Sequence, residues 1–196
     1  MAELKKRESR RKRTTKETDI DVYLCLDGGD IKVDTGIGFF DHMLSSFAFH
    51  GGFGLEISAK GDLDVDFHHT VEDTGIVLGT ALREAMGDKA GIRRFADVHI
   101  PMDDALSFAA IDVSGRPWLT FEAAFPQAMI GSYDSCLTEE FFRAFAMNAG
   151  ITMHLRVLYG SNSHHMTESL FKAAARALRE AMVISDNVLP STKGVL

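Results

Sequence analysis

A chain of 196 residues with 45% hydrophobic and 25% charged side chains has the make-up of one globular unit, or of two fused halves around a shared core. Its formal charge of −7 argues against nucleic acid as the main ligand, and no apolar run approaches the roughly 18 residues of a membrane span. Two cysteines, Cys25 and Cys136, have neither a disulfide-framework number nor zinc-ligand spacing, and no hydrophobic leader follows the start; a reducing cytoplasm is the expected location.

Residues 1–16 carry Lys5, Lys6, Arg7, Arg10, Arg11, Lys12, Arg13 and Lys16 against only Glu3 and Glu8. Such a basic arm could grip an anionic partner, but as a terminus it is expected to be solvated and partly ordered. Asp19–Leu26 alternates with the strand period, and DGGD (27–30) before IKVDT predicts a hairpin. FFDHMLSSFAFHGG (39–52) reads as a helix stopped by Gly51 and Gly52. A short strand at Leu55–Ala59 and the polar loop KGDLDVD lead to His68 and a helix ending near Gly87.

The second half repeats this order. Leu106–Val113 and Trp118–Ala123 flank the turn SGRP, TEEFFRAFAMNAG is a helix closed by Gly150, and ITMHLRVLYG is a strand. The loop SNS then precedes His164 and a long helix. The organisation expected is a basic arm over 1–16, a first half-repeat over 17–95 and a second over 96–196, forming one globular unit. Each half reads β-β-α-β-α, which makes the chain α+β with helices buried between two sheets.

The duplication carries chemistry. HHTVE (His68–Glu72) and ALREAM (Ala81–Met86) return as HHMTE (His164–Glu168) and ALREAM (Ala177–Met182), both at an offset of 96 residues (164 − 68 and 177 − 81). Helical neighbours stand about 100° apart, so the two histidines of one pair cannot comfortably face one ion. Positions i and i+4 do share a face, so His68 can converge with Glu72 and His164 with Glu168. The second histidine of each pair points elsewhere, and His42 (in FFDHM) and His154 (in ITMHL) could complete two shells. Imidazole with carboxylate and no thiolate suits Mn, Fe, Co, Ni or Zn, with positions left open for substrate or water. His50 and His99 lack partner spacing, and ALREAM is most simply core.

These motifs resemble the imidazoleglycerol-phosphate dehydratases over nearly the whole chain. The segments that carry the likeness are RTTKETDI (Arg13–Ile20), TGIGFFDHML (Thr35–Leu44), DFHHTVEDTGIVLG (Asp66–Gly79), Arg94, PMDDAL (Pro101–Leu106), SGRPWL (Ser114–Leu119), SNSHHMTESLFKA (Ser161–Ala173) and LPSTKGVL (Leu189–Leu196). The resemblance implies a duplicated α+β fold with helices between two mixed four-stranded sheets. It also implies two Mn2+ per active site, and trimers assembled into a 24-mer with sites between subunits. The implied reaction belongs to histidine biosynthesis: D-erythro-imidazole-glycerol phosphate loses water to give imidazole-acetol phosphate, through an imidazolate-like intermediate that the metals stabilise. Carried onto this sequence, the metal ligands are His42, His68, His69, Glu72, His154, His164, His165 and Glu168. Glu17 is the residue implied for proton transfer, with Glu168 as a second possibility. Arg94 (rather than Arg93), Arg116, Ser191 and Lys193 are implied to hold the phosphate, while Glu17, His42, His68, Glu72 and His154 line the rest of the substrate. STKG and PMDDA depart slightly from the commoner SSKG and PMDEA. Two other readings remain: a dinuclear metallohydrolase, and a metal-dependent cage or storage protein without catalysis.

Overall fold

The structure, a computed structural model, describes residues 6–185 and 191. Two four-stranded mixed sheets enclose four helices. In the first half, β1 (Glu8–Thr14), β2 (Thr18–Cys25), β4 (Gly54–Gly61) and β3 (Ile31–Asp34) lie side by side in that order. The second sheet repeats the pattern with β5 (Phe95–Met102), β6 (Ala105–Asp112), β10 (Thr152–Tyr159) and β7 (Trp118–Glu122). In both, the third strand runs antiparallel to the second and parallel to the fourth. Strands β1–β3 recur as β5–β7 at an offset of 87 (95 − 8, 105 − 18 and 118 − 31). A two-stranded hairpin, β8 (Met129–Ile130) with β9 (Tyr133–Asp134), is inserted in the second half alone and lengthens the offset from there on.

Strand alternation builds the core. Ile20, Val22 and Leu24 of β2 are buried against the helices, while Asp19, Asp21 and Tyr23 face outward. Helices α1 (Gly38–Gly51), α2 (His68–Met86), α3 (Leu137–Ala149) and α4 (Ser163–Ala181) pack across the halves, α2 on α3 and α1 on α4. Phe40, Phe47, Phe141, Phe145 and Phe171 fill the space between them. Gly52 and Gly150 end α1 and α3 in the left-handed conformation, as their place after the periodic runs predicts. Gly75 and Gly79 let α2 approach α3 closely: a Cβ on Gly79 would sit 2.4 Å from the Phe145 carbonyl oxygen.

Two expectations are corrected. Asp19–Leu26 and the IKVDT segment do not pair as a hairpin, because β4 lies between β2 and β3. The DGGD segment is a crossover rather than a tight turn. It passes over the start of β4 in backbone contact, with a Cβ on Gly54 placed 2.8 Å from the Gly28 oxygen and the Leu55 N–H donating to the Asp30 carbonyl.

The basic arm is also not a loose terminus over residues 8–14. These residues form β1, paired with β2 from Glu8↔Cys25 to Thr14↔Asp19. Its charge is neutralised by the chain's own acids: Arg7 meets Asp27, Arg10 Asp21, Arg11 Glu84, Lys12 Asp19 and Arg13 Asp73. The exposed pairs among these contribute about 0–1 kcal/mol each, and only Asp73, the partner of Arg13, is buried, so the ladder and the packing of β1 on α2 hold the strand more than its exposed charges do.

Candidate metal centre

Each histidine pair opens a helix whose first turn meets a side chain just upstream, the N-cap residue Asn162 for α4 and, for α2, Asp66 one residue before the N-cap Phe67. The His164 N–H donates to Asn162 Oδ1 at 2.9 Å, and the His68 N–H donates to Asp66 Oδ1 at 2.7 Å. These bonds hold the first turns of α4 and α2, from which the histidines project.

One group of three donors results. His42 on α1 reaches toward α4, where its Nε2 lies 3.4 Å from Glu168 Oε2, and His164 Nε2 lies 3.2 Å from the same oxygen. Ligand atoms of His42, His164 and Glu168 all fall within 4.8 Å of one another, and no other set of three does so among the described residues. Phe39 packs edge-on against the His164 ring. Glu168 is 6% exposed, and Lys172 one turn on holds its other oxygen, Oε1, at 2.8 Å. Burial pushes this carboxyl up, but the Lys172 ammonium and the facing imidazoles outweigh it and hold it below the usual carboxylate range. An ionised carboxylate with one oxygen turned to two imidazoles is a donor set that fits a divalent transition ion.

The equivalent pair in the first half is more open. His68 Nε2 stands 3.6 Å from Glu72 Oε2, with both side chains over two-fifths exposed. The second histidine of each pair is turned to an aspartate instead. His69 Nδ1 lies 3.0 Å from Asp62 Oδ2, which pulls this imidazole above its ordinary range, and Glu17 Oε2 is 4.0 Å from the same nitrogen. His165 Nδ1 lies 2.6 Å from Asp104 Oδ1. His154 sits on the outer face of the second sheet, opposite Ala110 and Thr120 and outside the three-donor group.

That outer face also carries the arginines. Arg94 Nε lies 2.7 Å from Asp112 Oδ1, and Arg116 Nη2 lies 3.6 Å from Asp112 Oδ2, so both guanidiniums converge on one carboxylate. Arg93 turns away to Glu180 at 2.6 Å. Asp112 pairs with Thr152, two positions along β10 from His154. Arg94 adopts the left-handed conformation (φ 73°), its N–H donates to the Ala181 carbonyl, and its guanidinium lies 4.5 Å from the Phe95 ring. Lys193 lies outside the described residues.

The two groups belong to opposite ends of α4. Ala181 and His164 are 17 residues apart (181 − 164), about 26 Å at a helical rise of 1.5 Å.

Sequence reasoning passed over Lys172, Asp62 and Asp104. Lys172 could have been found from its i+4 spacing to Glu168. Both aspartates stand in loops: Asp62 is seven residues before His69 but outside its helix, and Asp104 is 61 residues from His165, so only folding turns each toward its ring. A cavity of about 340 Å³ beside His68, lined also by Met129, Asp134 and Cys136, is not that of a nucleophilic thiol. Burial and the nearby Asp134 push the Cys136 thiol up to about 11, which leaves little thiolate at neutral pH.

Comparison with known proteins shows the family and the fold. The imidazoleglycerol-phosphate dehydratase family profile matches residues 35–178. The chain is 56% identical over 194 residues to the imidazoleglycerol-phosphate dehydratase of Gluconobacter oxydans, covering 97% of this chain and 98% of that one. It is 58% identical over 187 residues to the Symbiobacterium thermophilum enzyme, covering 94% and 90%. The crystal structure of the Staphylococcus aureus enzyme superposes with a TM-score of 0.84 at 39% identity, over 91% of this chain and 99% of that one. The Pyrococcus furiosus structure, a complex with (S)-C348, gives 0.84 at 38%, over 95% and 100%. A duplicated α+β chain with paired histidine helices, matched along nearly its whole length, is therefore a member of the imidazoleglycerol-phosphate dehydratase family and a hydro-lyase.

Proposed function

We propose that this dehydratase of histidine biosynthesis takes D-erythro-imidazole-glycerol phosphate to imidazole-acetol phosphate at di-manganese sites shared between copies of the chain. The observation that carries the reading is the separation along α4. A three-carbon chain between ring and phosphate cannot reach from His164 to Arg94 of one chain across about 26 Å. Presenting the outer face of one copy's second sheet to the histidine edge of another supplies both ends to one substrate. This supports a homo-oligomer with sites between copies, for which the family likeness implies trimers building a 24-mer.

In this reading His42, His164 and Glu168 hold one ion of a site. His68, His69, Glu72, His154 and His165, drawn from more than one copy, provide the remaining donors. Mn2+ held by these residues would supply Lewis acidity toward the substrate, which stabilises negative charge as it develops. Arg94, Arg116, Ser191 and Lys193 hold the phosphate, for which a guanidinium fork is suited. Glu17 removes the carbon-bound proton; its side chain is 55% exposed beside His69 and bears on the substrate rather than on the metal shell. Glu168 is buried and committed to Lys172 and two imidazoles, which suits a ligand better than a proton carrier.

Family membership sets aside the hydrolase and the storage cage, since the relatives are dehydratases. The test is metal stoichiometry alongside turnover. EDTA is expected to abolish ketone formation and loosen the oligomer, with Mn2+ restoring both. Glu17→Gln is expected to keep assembly and metal content while turnover falls by about 10²–10⁴-fold. Full activity in that variant overturns the role given to Glu17, and wild-type protein that turns over with no metal overturns the centre.

A further inference from the structure

The two histidines turned toward aspartates occupy equivalent places in the duplication, but the aspartates do not. Asp62 follows β4 directly, while Gly160 follows β10. Asp104 comes from the other direction, immediately before β6. The residue immediately before β2 is Glu17, 87 positions earlier (104 − 17), the offset that relates these strands. Glu17 and Asp104 are therefore counterparts, one in each half.

Both halves place an acid at this turn, near Nδ1 of the second histidine. In the second half the acid is at hydrogen-bond distance, 2.6 Å. In the first half Glu17 stands 4.0 Å off, and Asp62 holds the nitrogen at 3.0 Å instead. Two carboxylates unrelated by the duplication thus reach the same ring nitrogen of duplicated histidines. Inheritance of one contact does not produce that; a shared requirement for an acceptor at Nδ1 does.

Asp104 is itself pinned. Its Oδ2 accepts from the Ser161 N–H (2.6 Å), the Ser161 hydroxyl (2.7 Å) and the Asn162 N–H (3.0 Å), which leaves Oδ1 for His165. The Ser161–Asn162 loop is also the one that caps α4, so one carboxylate ties ring direction to helix start. An ionised carboxylate can only accept, so the nitrogen facing it carries the proton and Nε2 keeps its lone pair. On the other side Asp103 Oδ2 is 3.7 Å from His165 Nε2, but that side chain is 77% exposed and unpinned.

We propose that Asp62 and Asp104 are positioning residues that fix His69 and His165 in the Nδ1–H tautomer, presenting Nε2 as a metal donor. In the first half this arrangement leaves Glu17 available for proton transfer, because Asp62 has taken the duty that its counterpart Asp104 performs in the second. The inference rests on the metal-centre reading above. Partners of this kind alter metal affinity by about 10–100-fold when removed.

The experiment is equilibrium dialysis of Mn2+ into the metal-stripped full-length oligomer for wild type, Asp104→Ala, Asp62→Ala and Asp103→Asn. It is paired with 15N spectra of histidine-labelled metal-free protein, which report the tautomer of each ring. Asp104→Ala and Asp62→Ala are each expected to weaken Mn2+ binding about 10–100-fold and to convert one ring from the Nδ1–H form to a mixture; Asp103→Asn is expected to change neither. Wild-type affinity in both alanine variants, or an unchanged tautomer, overturns the proposal. If Asp104→Ala fails to assemble, Asp62→Ala alone decides, since its side chain anchors no helix cap. Wild type that takes up no Mn2+ while showing both fixed tautomers overturns the metal reading and leaves the ring-fixing geometry standing.

Discussion

Gly79→Ala tests the closeness of α2 and α3, on which the direction of His68, His69 and Glu72 depends. An added methyl carbon would stand 2.4 Å from the Phe145 oxygen, 3.0 Å from the Ala149 nitrogen and 3.1 Å from the Asn148 Cβ. Two of these atoms are backbone, so relief requires the helices to part rather than a rotamer to turn. Alanine gains about 1 kcal/mol in helix propensity over glycine. Overpacking a close contact costs about 1–3 kcal/mol, and more where backbone is struck. A net loss of about 2 kcal/mol is expected, which lowers Tm by about 4–8 °C for a chain of this size. Gly38→Ala, whose Cβ would meet nothing within 4 Å, serves as the control and should leave Tm unchanged or slightly raised. Thermal unfolding of the metal-free variants, followed by circular dichroism, measures both. A Gly79→Ala chain that melts at or above wild type refutes the reasoning, because the helices would then be separable at no cost.

Two more outcomes are expected. A chain carrying Arg94→Ala with Arg116→Ala and a chain carrying His164→Ala should each be inactive alone, and co-assembled from a mixture they should recover measurable turnover; no recovery refutes shared sites. On the acid side, hydrogen bonding from Arg11 holds the Glu84 carboxyl below the usual range. A depressed folded pKa contributes stability above the unfolded value of about 4.5, and that contribution disappears as pH falls through the lower folded value. Wild type should therefore lose Tm below about pH 4.5 more steeply than Arg11→Ala, by a small margin because the pair is partly exposed; parallel profiles would refute it.

Most elements were legible because their signals are local. Periodicity and terminal glycines marked α1 and α3, and the twin histidine pairs marked where α2 and α4 begin. Sheet order was not legible. The segment before β3 reads as a turn to any local rule, yet its glycines serve a crossing over β4, a contact made between residues 25 positions apart (54 − 29). The basic run misled for a similar reason: its acidic partners Asp73 and Glu84 lie on α2, so a cluster that looks exposed in sequence is matched across space. In the centre, the i, i+4 spacing brought Glu168 beside His164, but the approach of His42 depends on α1 packing on α4. Asp62 and Asp104 carried no spacing signal at all.

The length of α4 sets how faults add up. On the shared-site reading, and following only the His164 and Arg94 groups, each chain lends its His164 end to one centre and its Arg94 end to another. A chain defective at both ends silences two centres, so in random mixtures activity would follow the square of the intact fraction. A fault confined to one end silences one, and the decline would be linear. On that reading, nineteen residues of helix make the fraction of intact chains readable in the activity.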